Sequence, residues 1–149
     1  MGKDGLEWAG EGQEAIEMLA ELPDMWDVNV SDWENDSMTS RFAREGYQEE
    51  YISFVKSVTS KPVSAVGRYT SPDTMVSAIR RGVVDIIGAA RPSIADPFLA
   101  NKIKQGRPED VRECIGCNIC AAWNNLSAPS RCTQTVSYTH LTLTTLLLV

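Results

Sequence analysis

Basic residues are few in this chain, and histidine is nearly missing. Fourteen lysines and arginines stand against twenty aspartates and glutamates, His140 is the single histidine, and the formal net charge is −6. No Lys/Arg cluster forms along it, which excludes a nucleic-acid surface. No membrane partner is expected either, because the apolar tail Leu146 to Val149 is much too short to cross a bilayer. The opening, Met1-Gly-Lys-Asp-Gly-Leu-Glu7, is polar and acidic rather than a secretory signal, so the expected location is cytoplasmic. Cysteine is absent until residue 114. Without export, four thiols read as ligands or catalytic groups rather than disulfides.

What remains is ordinary for a globular chain: 149 residues, 43% hydrophobic and 23% charged, enough for one core. Gln13 to Leu22 has a helical pattern, with Ala15, Ile16, Leu19 and Ala20 on one face, and Pro23 stops it. Trp26 to Val30 reads as a short strand, and Ser31 to Ser40 as a polar turn-rich loop. A second helix is predicted from Gly46 to about Val58, with Tyr47, Tyr51, Phe54, Val55 and Val58 as its apolar stripe. Val63 to Val66 is a compact apolar strand. Ser71-Pro72-Asp73 is a strong helix start, and Gly82 ends that helix. Val83 to Ile87 is a further apolar strand, followed by a polar turn and a helical stretch around Pro97 to Gln105.

Alternation of this kind predicts βα units and a parallel sheet, its last two strands buried on both faces. Three parallel strands leave two raw edges, so the chain is expected to belong to something larger and not to form a competent enzyme alone.

Two consecutive strands end alike, in Val66-Gly67-Arg68 and in Gly88-Ala89-Ala90-Arg91. Glycine lets backbone amides approach a ligand, and arginine offers a planar fork to phosphate oxygens. If these are strands 7 and 8 of a (β/α)8 barrel, both features fall where a phosphorylated cofactor binds. Trp33 and Asp36 follow the first strand, at the end that faces a ligand in parallel α/β folds. A carboxylate beside an aromatic face can hold a cation, and Trp123 can join them. By composition alone, Trp33 is a packed loop residue and Asp36 a helix cap.

The four cysteines lie close together. Cys114, Cys117 and Cys120 sit at x2 spacing on what is expected to be one tight loop, and Cys132 follows after eleven intervening residues. Structural zinc sites usually pair two separated knuckles. Three cysteines on one loop plus a fourth fit an iron–sulfur cube better, although this is not the bacterial ferredoxin run. Zinc and a redox thiol pair stay open. Beside a phosphate-anchored cofactor, a flavin is the economical partner for such a cluster, because it takes two electrons and releases them singly.

Gly67-Arg68-Tyr69-Thr70, the run from Gly88 to Leu99, Arg112-Glu-Cys114-Ile-Gly-Cys117-Asn-Ile-Cys120, and Arg131-Cys132-Thr-Gln134 closely resemble the iron–sulfur flavoenzymes of the old yellow enzyme superfamily. The likeness is nearest to the trimethylamine/dimethylamine dehydrogenase branch and spans roughly residues 15–134. It implies an α/β fold, the C-terminal part (about strands 6–8) of a TIM (β/α)8 barrel followed by a cysteine-rich cluster-binding loop. The implied cofactors are FMN, bound by Gly67, Arg68, Gly88, Ala90 and Arg91, and a 4Fe–4S cluster on Cys114, Cys117, Cys120 and Cys132. The resemblance places Trp33, Asp36 and Trp123 in the substrate site. The implied reaction is oxidative N-demethylation of a small methylated amine. Electrons then pass through the cluster to an electron-transferring flavoprotein, and the parent protein is expected to be a homo-oligomer.

The expected division is a partial FMN barrel over 1–113, a cluster segment over 114–134 and a tail over 135–149. That tail resembles a translated sequencing adaptor and is expected to be non-native, so His140 receives no role. The family's earlier strands and later nucleotide-binding domains have no counterpart here. Two other functions compete: an NAD(P)H-dependent 2,4-dienoyl-CoA or enoate reductase of the same superfamily, and a non-catalytic zinc- or cluster-binding module.

Overall fold

Ser71 begins the best-defined helix as the sequence predicts. Its hydroxyl accepts a hydrogen bond from the Thr74 amide at 3.3 Å, and Pro72 fills the first helical position, where a missing N–H costs nothing. The computed structural model describes residues 7–30, 42–125 and 131–135, and it divides into two compact units, Met1–Ala89 and Ala90–Val149. Residues 136–149, which hold almost all of the expected non-native tail, lie outside the described residues.

In the first unit three strands, β1 (Trp26–Val28), β2 (Val63–Ala65) and β3 (Ile86–Ile87), form a parallel sheet in the order β1-β2-β3. Trp26 pairs with Val63, Val28 with Ala65, and Ala65 with Ile87. The helices α1 (Gln13–Leu19), α2 (Glu49–Val58) and α3 (Pro72–Arg80) alternate with them in the βα rhythm read from the sequence.

All three strands are shorter than predicted, for local reasons. Val30 leaves β1 because its amide donates to the Gln48 side chain at 2.9 Å. Val83 is drawn to the end of α3, its amide donating to the Ala78 carbonyl at 3.1 Å. Asp85 stands just outside β3. It accepts the Val63 amide at 2.8 Å and the Lys56 ammonium at 2.7 Å, and so ties α2 to the start of β2.

The core of this unit lies between sheet and helices. Ile52, Val63, Ala65 and Ala78 are fully buried, with Val55 and Val84 nearly so. Complete burial of the isoleucine and valines contributes roughly 1.5–3 kcal/mol each. The expected stripe on α2 omitted Ile52, which is its most buried residue. Tyr51 and Phe54 instead stand edge-on to Trp8, with ring centroids 4.9 Å and 5.4 Å away. The prediction that both late strands are buried on both faces is met on one face of β2, where Val63 and Ala65 are fully buried and Ser64 between them only partly, and it fails at Ile86, which is 46% exposed. Leu19, expected on the buried face of α1, is exposed.

The second unit carries α4 (Ala90–Ala95), α5 (Leu99–Lys104), a short 3-10 turn (Pro108–Asp110) and α6 (Ile119–Asn125). The sequence reading put a polar turn where α4 lies. Pro92 falls in the first turn of α4, where proline is tolerated, and both Pro92 and Ala95 are buried. Among the described residues no helix is long and apolar enough to cross a membrane.

Candidate cofactor-phosphate loop and cysteine segment

The turn that follows β2 is held from several sides. The Gly46 amide donates to the Gly67 carbonyl at 2.7 Å. A Cβ added at Gly67 would stand 3.3 Å from the Tyr69 ring and 3.5 Å from the Gly46 Cα, so the glycine serves this close approach. The left-handed residue is its neighbour: Arg68 has φ +59°. Such a conformation costs an ordinary residue about 1–2 kcal/mol and persists only where its surroundings enforce it. Tyr69 beyond it is 1% exposed. Burial, and then the nearby Glu49 carboxylate, push the Tyr69 phenol up to about 12.

Glu45 supplies the enforcement. Its Oε1 accepts from the Thr70 amide, from the Thr70 hydroxyl at 2.6 Å and from the Ser71 amide at 2.7 Å. Its Oε2 accepts from the Ser71 hydroxyl at 3.0 Å and the Thr74 hydroxyl at 2.7 Å. Burial pushes this carboxyl up, but the hydrogen bonds from Thr70, Thr74 and Ser71 outweigh it and bring it to about 2.

On this held turn the Arg68 Nε is buried and, among the described residues, has no hydrogen-bond partner. A buried donor left over on a cation is costly unless something accepts from it, and a phosphate oxygen fits both its charge and its geometry. Gly88, after β3, is also a close-approach glycine. A Cβ there would lie 2.7 Å from Val66 Cγ1 and 3.2 Å from the Ala65 carbonyl oxygen.

Trp33 and Asp36 lie outside the described residues. The chain that leads to them is anchored by the buried Gln48, whose Oε1 takes the Val30 amide at 2.9 Å and whose Nε2 donates to Asn29 Oδ1 at 3.1 Å. Trp123 belongs to α6.

In the second unit Ala90 opens α4, and Arg91 donates from Nη1 to Asn118 Oδ1 at 2.7 Å, which engages this arginine with the cysteine segment. That segment is not one loop. Cys114 and Cys117 lie on irregular chain turned by Gly116 (φ +66°) and Asn118 (φ +60°), whereas Cys120 sits in the first turn of α6. Asparagine tolerates the left-handed region better than most residues, and its side chain here also receives the Arg91 bond.

The Cys114 sulfur accepts the Gly116 amide at 3.4 Å, and the Cys117 sulfur lies 3.1 Å from the Thr133 hydroxyl. Burial raises the Cys117 thiol, but the Thr133 hydroxyl and backbone amides outweigh it and the net shift is downward. Burial raises Cys120, and the neighbouring Cys114 and Cys117 add to that. None of the four cysteines is in a disulfide, and all are partly exposed. Among the described residues no three His, Cys, Asp or Glu groups are gathered tightly enough to hold a single metal ion. Four soft sulfur donors, with an amide beside the Cys114 sulfur and a hydroxyl beside the Cys117 sulfur, nevertheless suit a thiolate-bound centre.

With this geometry in view, the comparisons are direct. Residues 1–110 match the NADH:flavin oxidoreductase / NADH oxidase family. The chain belongs to that family. It is 45% identical to dimethylamine dehydrogenase of Hyphomicrobium sp. (strain x) over 137 residues, 89% of this chain and 19% of that protein. Among solved structures, the 6-hydroxypseudooxynicotine amine oxidase of Pseudomonas geniculata N1 is 64% identical with a TM-score of 0.79, over 85% of this chain and 19% of that one. Histamine dehydrogenase of Rhizobium sp. 4-9 is 52% identical with a TM-score of 0.80, over 87% of this chain and 19% of that one. The chain therefore spans about a fifth of the length of each. Membership makes it part of an oxidoreductase family, and the parallel β/α run is a section of a TIM (β/α)8 barrel.

Within this member of the NADH:flavin oxidoreductase / NADH oxidase family, sequence reasoning missed the residues that brace the motifs. Glu45 and Gln48 brace the first unit. In the second, Asp96 is 3% exposed and accepts from the Arg112 amide at 2.9 Å, the Lys102 ammonium at 2.6 Å and the Phe98 amide at 3.0 Å. Lys102 also donates to the Asp110 carbonyl at 2.9 Å. The approach to Cys114 is thereby fixed to the end of α4.

Proposed function

We propose that this chain forms the FMN-phosphate end and the cluster segment of an amine dehydrogenase that oxidatively demethylates a small methylated amine. The observation that carries the reading is the 45% identity to dimethylamine dehydrogenase across 89% of the chain. Arg68, with its buried and unpartnered Nε, holds the FMN phosphate beside the close-approach glycines Gly67 and Gly88. Cys114, Cys117, Cys120 and Cys132 hold the 4Fe–4S cluster. Bound FMN supplies a two-electron acceptor and a bound cluster a one-electron one, which suits delivery to a flavoprotein partner. Asp36 and Trp33 hold the cationic amine by charge and by the aromatic face.

A second reading, oxidation of an amine bearing a larger group, is favoured by the higher identities of 64% and 52% to proteins named for 6-hydroxypseudooxynicotine and histamine. Anaerobic titration of the flavin-loaded protein with dimethylamine, trimethylamine, histamine and NADPH separates the readings. Bleaching of the flavin by the methylated amines and not by NADPH supports the first. Bleaching by histamine alone selects the second. Bleaching by NADPH alone sinks both and leaves an enoate-type reductase.

A further inference from the structure

The phosphate reading of Arg68 leaves a physical question open. The residue is left-handed at φ +59°, and its neighbours must hold it there. Nothing on β2 does so, because that strand ends at Ala65. The following chain does. Thr70 and Ser71 together give four donors to the one carboxylate of Glu45, and Thr74 gives a fifth from the first turn of α3. The adjacent Gly46 amide holds the Gly67 carbonyl at 2.7 Å, on the other side of the arginine. Arg68 is thus bracketed: residues 67 and 70–71 are both fastened to residues 45–46, and the backbone between them has little freedom left.

We propose that Glu45 is a positioning residue for the flavin phosphate: by gathering the Thr70, Ser71 and Thr74 donors it fixes the 67–71 turn in the form that presents the Arg68 guanidinium. Glu45 itself does not touch the cofactor. A carboxylate near a phosphate would repel it if its charge were unshared. Here the two oxygens are spent on five donors, which leaves the cationic arginine as the turn's outward charge. The same network explains why a non-glycine residue occupies the left-handed position. The external bonds offset the conformational cost, and an arginine there brings a guanidinium that a glycine cannot.

This inference rests on the reading that Arg68 meets the FMN phosphate, so the test separates the two. In the flavin-free form of the whole protein, the affinities for FMN and for riboflavin are measured by quenching of flavin fluorescence. Their ratio isolates the phosphate's share. Arg68→Ala is expected to collapse that ratio. Glu45→Ala is expected to lower FMN affinity about tenfold or more while riboflavin affinity changes little, corresponding to the loss of at least one charge-assisted contact. Glu45→Gln, which keeps a carbonyl oxygen for the Thr70 and Ser71 amides, is expected to restore most of the loss.

If Arg68→Ala leaves the ratio intact, the phosphate reading fails and this proposal with it. If Arg68→Ala collapses the ratio and Glu45→Ala does not, the proposal alone is overturned. Equal weakening of FMN and riboflavin by Glu45→Ala also overturns it, because that marks a general structural role. Should Glu45→Ala not fold, Thr74→Val removes one of the five donors and decides the matter by the same ratio, with a smaller loss in support and an unchanged ratio against.

Discussion

The Asp96 carboxylate accepts the Arg112 backbone amide at 2.9 Å, so a residue just beyond α4 fixes the chain two positions before Cys114. The same oxygen holds the Lys102 ammonium at 2.6 Å. Replacing Asp96 by alanine takes the acceptor from the part-buried Arg112 amide and one of two acceptors from the Lys102 ammonium, which keeps the Asp110 carbonyl. These losses cost about 2–3 kcal/mol together. Urea unfolding of Asp96→Ala is expected to show that loss, with reduced iron retained per chain after purification. Unchanged stability would mean that Lys102 and Arg112 find other acceptors.

Acid sensitivity is expected to trace to Glu45. Its carboxyl lies at about 2, below its ordinary 4.5, so the folded state prefers the charged form. A depressed carboxyl contributes stability that is fully present above pH 4.5 and is lost as pH falls towards 2. Glu45→Gln removes this titration. Stability measured across that window is expected to fall less steeply in the variant than in the parent, and parallel curves would contradict the assignment.

Gly88 is expected to tolerate no side chain. An added Cβ would meet Val66 Cγ1 at 2.7 Å, a distance that real Cβ atoms do not adopt, with the Ala65 carbonyl oxygen 3.2 Å away on the sheet. Overpacking of this kind costs about 1–3 kcal/mol. Gly88→Ala is expected to lower the urea midpoint and to weaken FMN binding with it, because the shift must propagate into the backbone beside Val66 and Gly67.

The cysteine set makes a metal-content prediction. The intact protein is expected to hold iron with acid-labile sulfide and to show broad visible absorbance. Serine at any one of Cys114, Cys117, Cys120 or Cys132 is expected to remove most of that iron. Zinc without sulfide in the intact protein would replace the cluster with a structural ion and would remove the one-electron exit from the proposed function.

The sequence disclosed features whose cause is local. Ser71 and Pro72 start α3, and Gly82, at φ +69°, ends it, because capping and left-handed turns depend on neighbouring residues. The parallel βα order was legible too, from the alternation of helical and strand patterns along the chain. Glu45 was not, because its partners lie 25 to 29 residues further along the chain and no pattern marks a solitary glutamate as their acceptor. Arg68 carries a left-handed backbone that no pattern in the sequence marks. Glycine is the residue type that favours a positive φ, yet here the positive φ belongs to the arginine beside Gly67, between bonds to residues 45–46. The helix at Ala90–Ala95 was obscured by Pro92, which reads as a breaker unless it falls in a first turn. The roles proposed for Trp33 and Asp36 rest on family likeness, since composition by itself gives a packed aromatic and a cap.

The short stretch from Glu45 to Gln48 also bears on how such a protein can diversify. It fastens Val30 on one side through Gln48 and the 67–71 turn on the other through Glu45 and Gly46. Val30 and Glu45 are therefore both fixed points of the chain. Lengthening a segment between fixed ends is cheap, about 0.6 kcal/mol for each doubling. A chain lengthened between those two points is therefore expected to keep the 67–71 turn and most of its resistance to urea.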